Sequence, residues 1–117
     1  MESLERELKR GTLELLLLDI LSHEPTYGYQ LLSRLSKLSD DRFRIKEGTL
    51  YPVLYRLEDA GLVVPEWDKP ARGVPRKIYR LTAAGQARLV ELTDAWRSFS
   101  AVIETILTGG EPLKEES

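Results

Sequence analysis

The sequence predicts a mainly α fold with one small β-hairpin. Three observations carry that expectation. Three segments of helical apolar period precede residue 61, two short β-type runs flank a tip rich in glycine and proline, and a last segment spaces Leu89, Leu92, Trp96, Phe99, Ile103 and Ile106 in a 3-4-3-4-3 pattern. At 117 residues the chain suits one domain with an extension and a modest core.

The first helix is expected from Lys9 to Ser22. That stretch, KRGTLELLLLDILS, is apolar on almost every side, so a helix there meets more than one partner surface. Pro25 then breaks the chain. Thr26 is the expected N-cap, and Leu31, Leu35 and Leu38 at i, i+4 and i+7 carry a second helix over Tyr27 to Leu38. Tyr27 and Tyr29 at its start suit either core packing or contact with an outside backbone. The connection SDDRFRIKEG is polar apart from Phe43 and Ile45, which suit a brief strand or an anchored loop.

The third helix is read in KEGTLYPVLYRLEDAG, starting between Glu47 and Thr49. At about 100° per residue, Leu50, Val53, Leu54, Leu57 and Gly61 share a narrow arc and form the buried stripe. Tyr51, Tyr55, Arg56, Glu58 and Asp59 fall outside it. If Thr49 is the N-cap, Pro52 stands in the first turn, where its missing N–H costs nothing; an earlier start loses one bond. Gly61 is the expected C′ glycine.

LVVPEWD and KIYRL read as two strands, joined by the basic loop KPARGVPR. From Thr82 the chain returns to helix, with the apolar seam described above covering about two and a half heptads, long enough to join a larger interface. Residues 109–117, ending in EPLKEES, read as a mobile tail. Three helices followed by a hairpin is the order of a winged helix-turn-helix, in which the third helix enters the major groove and the hairpin touches the adjacent backbone. The expected organisation is a winged helix-turn-helix over residues 1–81 and a C-terminal dimerisation helix over 82–108.

Charge is unevenly spread. Residues 41 to 80 hold nine basic and six acidic side chains, 9 − 6 = +3, while the remainder carries 8 − 13 = −5. A nucleic-acid face and a solvated surface of mixed charge both fit. The longest purely apolar run, Leu15 to Leu18, is far too short for a bilayer, and no basic and apolar leader is present, so a cytoplasmic protein with no membrane partner is expected. With no cysteine there is no disulfide or thiolate chemistry. His23 has no second histidine or grouped carboxylate beside it to form a metal site or a triad, and the glycines match no phosphate-binding fingerprint, so neither an enzyme nor a cofactor is expected.

GTLELLLLDIL, YGYQLLSRL, KEGTLYPVLYRLEDAGLV, RGVPRKIYRLTAAG and a tryptophan-bearing last helix together resemble the PadR family of bacterial transcriptional regulators. The likeness runs from about Leu8 to Leu107, and the single last helix is similar to the compact subgroup. It implies a homodimeric repressor of a palindromic double-stranded DNA operator, its last helix packing with the first helix of the partner. In some compact members a planar apolar small molecule lies between a tryptophan from each subunit. Where relatives often carry a basic residue after the wing glycine, this chain has Val74.

On that pattern the DNA-binding candidates are Lys46, Thr49, Tyr51, Tyr55 and Arg56 of the third helix and Lys69, Arg72, Arg76 and Lys77 of the wing. A phenol donates to phosphate or packs on a thymine methyl, a cation and hydroxyl at a helix N-terminus meet phosphate, and wing cations run along the backbone. Each has a plainer reading: the tyrosines cover the hairpin or another helix, Lys46 and Thr49 cap and solvate, Arg56 pairs with its acidic neighbours, and the wing is an ordinary basic loop. Leu89, Leu92, Trp96, Phe99, Ile103 and Ile106 are the expected dimer interface. Trp96 either fills that seam or, with Phe99, walls an effector slot. The rival functions are a winged-helix protein-interaction adaptor that binds no DNA and a ligand-sequestering dimer.

Overall fold

A computed structural model describes residues 12–110 of the chain. In order, the elements are helix α1 (Leu13–His23), strand β1 (Thr26–Tyr27), helix α2 (Gly28–Leu38), helix α3 (Glu47–Asp59), strands β2 (Val63–Asp68) and β3 (Arg76–Leu81), and helix α4 (Ala83–Leu107). The predicted class holds: mainly helical, in winged helix-turn-helix order. Residues 9–11 of the expected first helix and residues 111–117 of the expected tail lie outside the described residues.

α1 is the hub. Leu13, Leu17, Leu18, Ile20 and Leu21 are buried along it, and it touches α2, α3, β3 and α4. Much of the all-round apolar character of its sequence is thereby used within one chain, with Leu15 and Leu16 only partly buried. Leu31 and Leu35 of α2 and Leu50, Leu54 and Leu57 of α3 complete the core with Val63 and Tyr79, while Leu38 is left exposed at the end of α2. Phe43 and Ile45 form no strand; they pack partly buried against the core and anchor the loop.

The expected cap of the second helix is corrected. Thr26 caps nothing: it lies in β1, opposite Tyr79, and adds a third strand to the sheet in the order β1-β3-β2. The free edge of β3 offers this backbone the partners that a cap would otherwise supply. Thr26 is buried, and its hydroxyl donates to the Glu24 carbonyl at 3.0 Å. α2 therefore begins at Gly28 with Tyr27 as its N-cap. A side chain at Gly28 would crowd the junction, since a Cβ there would lie 3.3 Å from Tyr79 Cε2 and 3.4 Å from Tyr51 Oη.

α3 starts at Glu47, the early end of the expected range, so of the two starts weighed it is the one in which Thr49 is not the cap. Lys46 holds that position, and Thr49 lies inside the first turn with its N–H donating to the Lys46 carbonyl at 2.9 Å. Pro52 consequently lies well inside α3 and has no N–H to give to the Gly48 carbonyl. Gly61 ends the helix as expected, at φ +75°, with its N–H on the Glu58 carbonyl and that of Leu62 on the Leu57 carbonyl. α2 closes with the same pair of bonds but places Asp40, φ 55°, where α3 and α4 use glycine.

β2 and β3 pair antiparallel from Val63↔Leu81 to Asp68↔Arg76, leaving residues 69–75 as the wing tip. Pro65 is tolerated because β2 is an edge strand. Thr82 caps α4, its hydroxyl oxygen accepting from the Gly85 N–H at 2.9 Å. The seam of α4 divides. Leu89 is 6% exposed and packs in this chain's own core, with Leu92 partly buried beside it, so these two seam positions serve the single chain first. The reason is that the start of α4 lies on α1, where Arg88 of α4 pairs with Glu14 of α1 at 3.3 Å. Beyond Leu92 the seam emerges, with Trp96, Phe99, Ile103 and Ile106 at 48%, 63%, 38% and 68% exposure. Among the described residues no helix is long and apolar enough to cross a membrane.

Candidate nucleic-acid interface

α3 turns its leucines inward and leaves Lys46, Gly48, Thr49, Pro52, Tyr55 and Arg56 exposed. Lys46 and Arg56 form no ion pair among the described residues, so the pairing of Arg56 with its acidic neighbours is not what the structure holds. Lys69 and Arg72 of the wing tip are likewise exposed and unpaired among the described residues. Gly73 turns the tip at φ +96°, and Val74 beside it is 75% exposed.

The two tyrosines of α3 are not equivalent. Tyr51 is half-buried against the core with its hydroxyl close to Gly28, and burial, with lesser effects from Glu47 and Tyr55, pushes its phenol pKa up. It stands at the margin of the leucine arc and serves the contact of α3 with α2. That placement departs from the exposed position expected for it. Tyr55 is 49% exposed, its ring 5.9 Å from that of Tyr51. The Lys77 ammonium lies 5.6 Å from its centroid.

Lys77 was expected at the phosphate backbone, yet its side chain is drawn inward. Strand register places it opposite Trp67 and on the same face as Tyr79. Its Nζ lies 3.6 Å from Glu58 Oε1 and within 5.8 Å of the Trp67 and 5.5 Å of the Tyr79 centroid. Burial alone lowers the Lys77 pKa, but the Tyr79 hydroxyl and the Glu58 and Tyr55 groups outweigh it, and the net direction is up. Burial likewise raises the Tyr79 phenol, against the opposing ammonium.

The base of the wing is pinned by residues whose role the sequence left open. Tyr27 donates to Asp68, and Arg76 donates to the Tyr29 hydroxyl at 3.1 Å with its guanidinium 5.2 Å from that ring. Asp68 and Arg76 are the last register pair before the tip. The hydrogen bond to Asp68 is the main cause that raises the Tyr27 pKa. Arg76 thus already has a partner, although it remains exposed. Glu58 and Trp67 were missed as members of the cluster around Lys77. The available signal was the two-residue alternation of β3, which puts Lys77 on the face of Tyr79.

His23 is exposed at the end of α1, 3.6 Å from Asp19. Among the described residues no group of three or more His, Cys, Asp or Glu side chains is arranged to hold a metal ion.

The family model described as Transcriptional regulator PadR-like family matches residues 17–91, from the middle of α1 through the wing into α4. The chain belongs to this PadR-like family. A crystal structure of a PadR family transcriptional regulator from Eggerthella lenta DSM 2243 superposes with a TM-score of 0.81 at 40% identity, covering 91% of this chain and 90% of that one. Transcriptional regulator Rv3488 of Mycobacterium tuberculosis (strain ATCC 25618 / H37Rv) is 38% identical over 86 residues, 74% of this chain and 77% of the relative. Uncharacterized protein X of Lysinibacillus sphaericus is 32% identical over 105 residues, 90% of this chain and 96% of its own. The PadR-like family is one of transcriptional regulators.

Proposed function

We propose that this PadR-like regulator is a homodimer that binds a palindromic DNA operator and represses transcription from it. The observation that carries this reading is the exposed set Lys46, Thr49 and Arg56 at the start of and along α3, together with Lys69 and Arg72 on the wing tip, whose cations form no ion pair among the described residues. At the start of α3, the free N–H groups, the Lys46 ammonium and the Thr49 hydroxyl suit a phosphate, and the helix dipole favours the anion. Arg56 has the reach and the two-pronged donor geometry for a guanine edge, a contact worth about 1–3 kcal/mol of base discrimination. The wing tip lies along the neighbouring backbone, and symmetric half-sites about 34 Å apart engage the two copies of α3.

Dimerisation is supported by the exposed run Trp96, Phe99, Ile103 and Ile106 on α4, an apolar strip unusual for a monomer. A planar apolar effector fits between Trp96 and its symmetry mate, with Phe99 alongside. It releases DNA only by favouring a different spacing of the two α3 helices, because a ligand shifts an equilibrium solely through differential affinity. Quenching of tryptophan fluorescence by planar compounds, lost in Trp96→Ala while Trp67 remains, tests the effector; unchanged quenching in that variant removes it. The operator is tested by titrating the protein against duplex DNA from upstream of its own coding region, with two protomers per duplex expected. Binding that is absent, or unaltered in Arg56→Ala, rejects the reading.

A further inference from the structure

α3, β2 and β3 converge on one ammonium. Tyr55 comes from α3, Trp67 from β2 and Tyr79 from β3, and Lys77 Nζ lies 5.6, 5.8 and 5.5 Å from their ring centroids. Glu58 of α3 closes the group, its Oε1 3.6 Å from Nζ, and both side chains are only 30% exposed. That oxygen is fully buried and accepts no hydrogen bond among the described residues, where Lys77 is the cation that answers its charge. A half-buried carboxylate stripped of its cation is costly, and aromatic faces add attraction for an ammonium that has left water. Nothing in this arrangement leaves the lysine free to follow a phosphate backbone.

We propose that Lys77 and Glu58 are positioning residues: a clasp that fixes the wing against α3 so that the wing tip and the exposed face of α3 meet one duplex together. Neither residue touches DNA. The inference rests on the proposed operator binding and deepens it. Two contact surfaces held at a fixed angle bind with less ordering cost than two that move independently, so the contribution of Arg72 depends on the clasp being closed.

The sign of one substitution separates this from a phosphate-contacting lysine. Glu58→Gln removes a negative charge from a DNA-facing domain and frees Lys77, which on electrostatic grounds alone strengthens binding. A clasp predicts the opposite: affinity falls about tenfold, a coupling of the size seen between residues of one network. The loss on Arg72→Ala, several-fold in the wild type, shrinks to about twofold or less in the Glu58→Gln background. Binding is measured by fluorescence anisotropy on the full chain at a temperature where circular dichroism shows every variant folded. Glu58→Gln binding as tightly as the wild type, or an Arg72→Ala loss that is the same in both backgrounds, overturns the clasp while leaving operator binding in place. A wild type that binds no duplex overturns both.

Discussion

Gly85→Ala is expected to cost about 3 kcal/mol or more of stability, from one added methyl. A Cβ at Gly85 would lie 2.0 Å from the Leu62 carbonyl oxygen and 2.6 Å from Leu81 Cδ1. The Leu81 side chain is able to turn aside, but the carbonyl is not. It accepts the Thr82 N–H at 3.1 Å and the Thr82 hydroxyl at 3.0 Å, and it follows directly on the left-handed turn at Gly61 that ends α3. Moving it breaks the cap of α4 and shifts the first residues of β2. For a domain whose total stability is about 5–15 kcal/mol, such a loss lowers the denaturant midpoint sharply. Gly48→Ala is the control, because its Cβ meets nothing within 4 Å. There alanine should stabilise by about 0.5–1 kcal/mol through helix propensity. Equal midpoints for the two variants would contradict the packing described at Gly85.

Phe99→Asp combined with Ile106→Asp should turn the proposed dimer into a monomer. These side chains are 63% and 68% exposed in the single chain, so their replacement removes nothing from the core around α1. Two aspartates on each facing strip place four carboxylates in the dimer seam, where desolvation and like-charge repulsion oppose association. Sedimentation velocity should show a wild-type dimer and a variant monomer. Operator affinity should fall by about 10²-fold or more, since the second half-site is then no longer bound intramolecularly. A wild type that sediments as a monomer would contradict the dimer, and a variant that remains dimeric would place the exposed strip of α4 outside its interface.

How far the fold could be read in advance follows from the range of the interactions involved. The leucine stripe of α3 and the glycine at its end are local signals, a helical period and a left-handed residue, and both were readable. β1 was not. It is two residues long and exists because β3, some fifty residues later, offers it an edge. Thr26, an ideal cap by type, is therefore committed to a sheet. Leu89 belonged to a regular seam of six apolar positions, and periodicity alone has no means of saying where one packing partner ends and another begins. α1 covers the first two of those positions and leaves the rest exposed.

At the candidate interface, residue type was the better guide where a side chain is free and the poorer one where it is engaged. Lys46, Arg56, Lys69 and Arg72 stand exposed as a basic surface requires. Lys77 and Arg76 have the same chemistry but are taken up by aromatic partners, Lys77 by Tyr55, Trp67 and Tyr79, and Arg76 by Tyr29. Their assignment needed the strand register and the positions of α2 and α3, neither of which a count of charges contains. Tyr51 is the intermediate case. Its helical angle sets it at the edge of the buried arc, and its hydroxyl comes to lie beside Gly28.

The central claim is that α3 and the wing tip together form a DNA-binding surface. It is tested most directly by the dependence of binding on salt, measured for the wild type, Arg56→Ala and Arg72→Ala on one palindromic duplex. The claim predicts that log affinity falls linearly with log salt concentration, at about 0.9 per phosphate neutralised. Arg72→Ala should reduce that slope by about 1 on every sequence, whereas Arg56→Ala should also relax discrimination against base substitutions in the half-site. A flat salt dependence, or variants indistinguishable from the wild type, would contradict it.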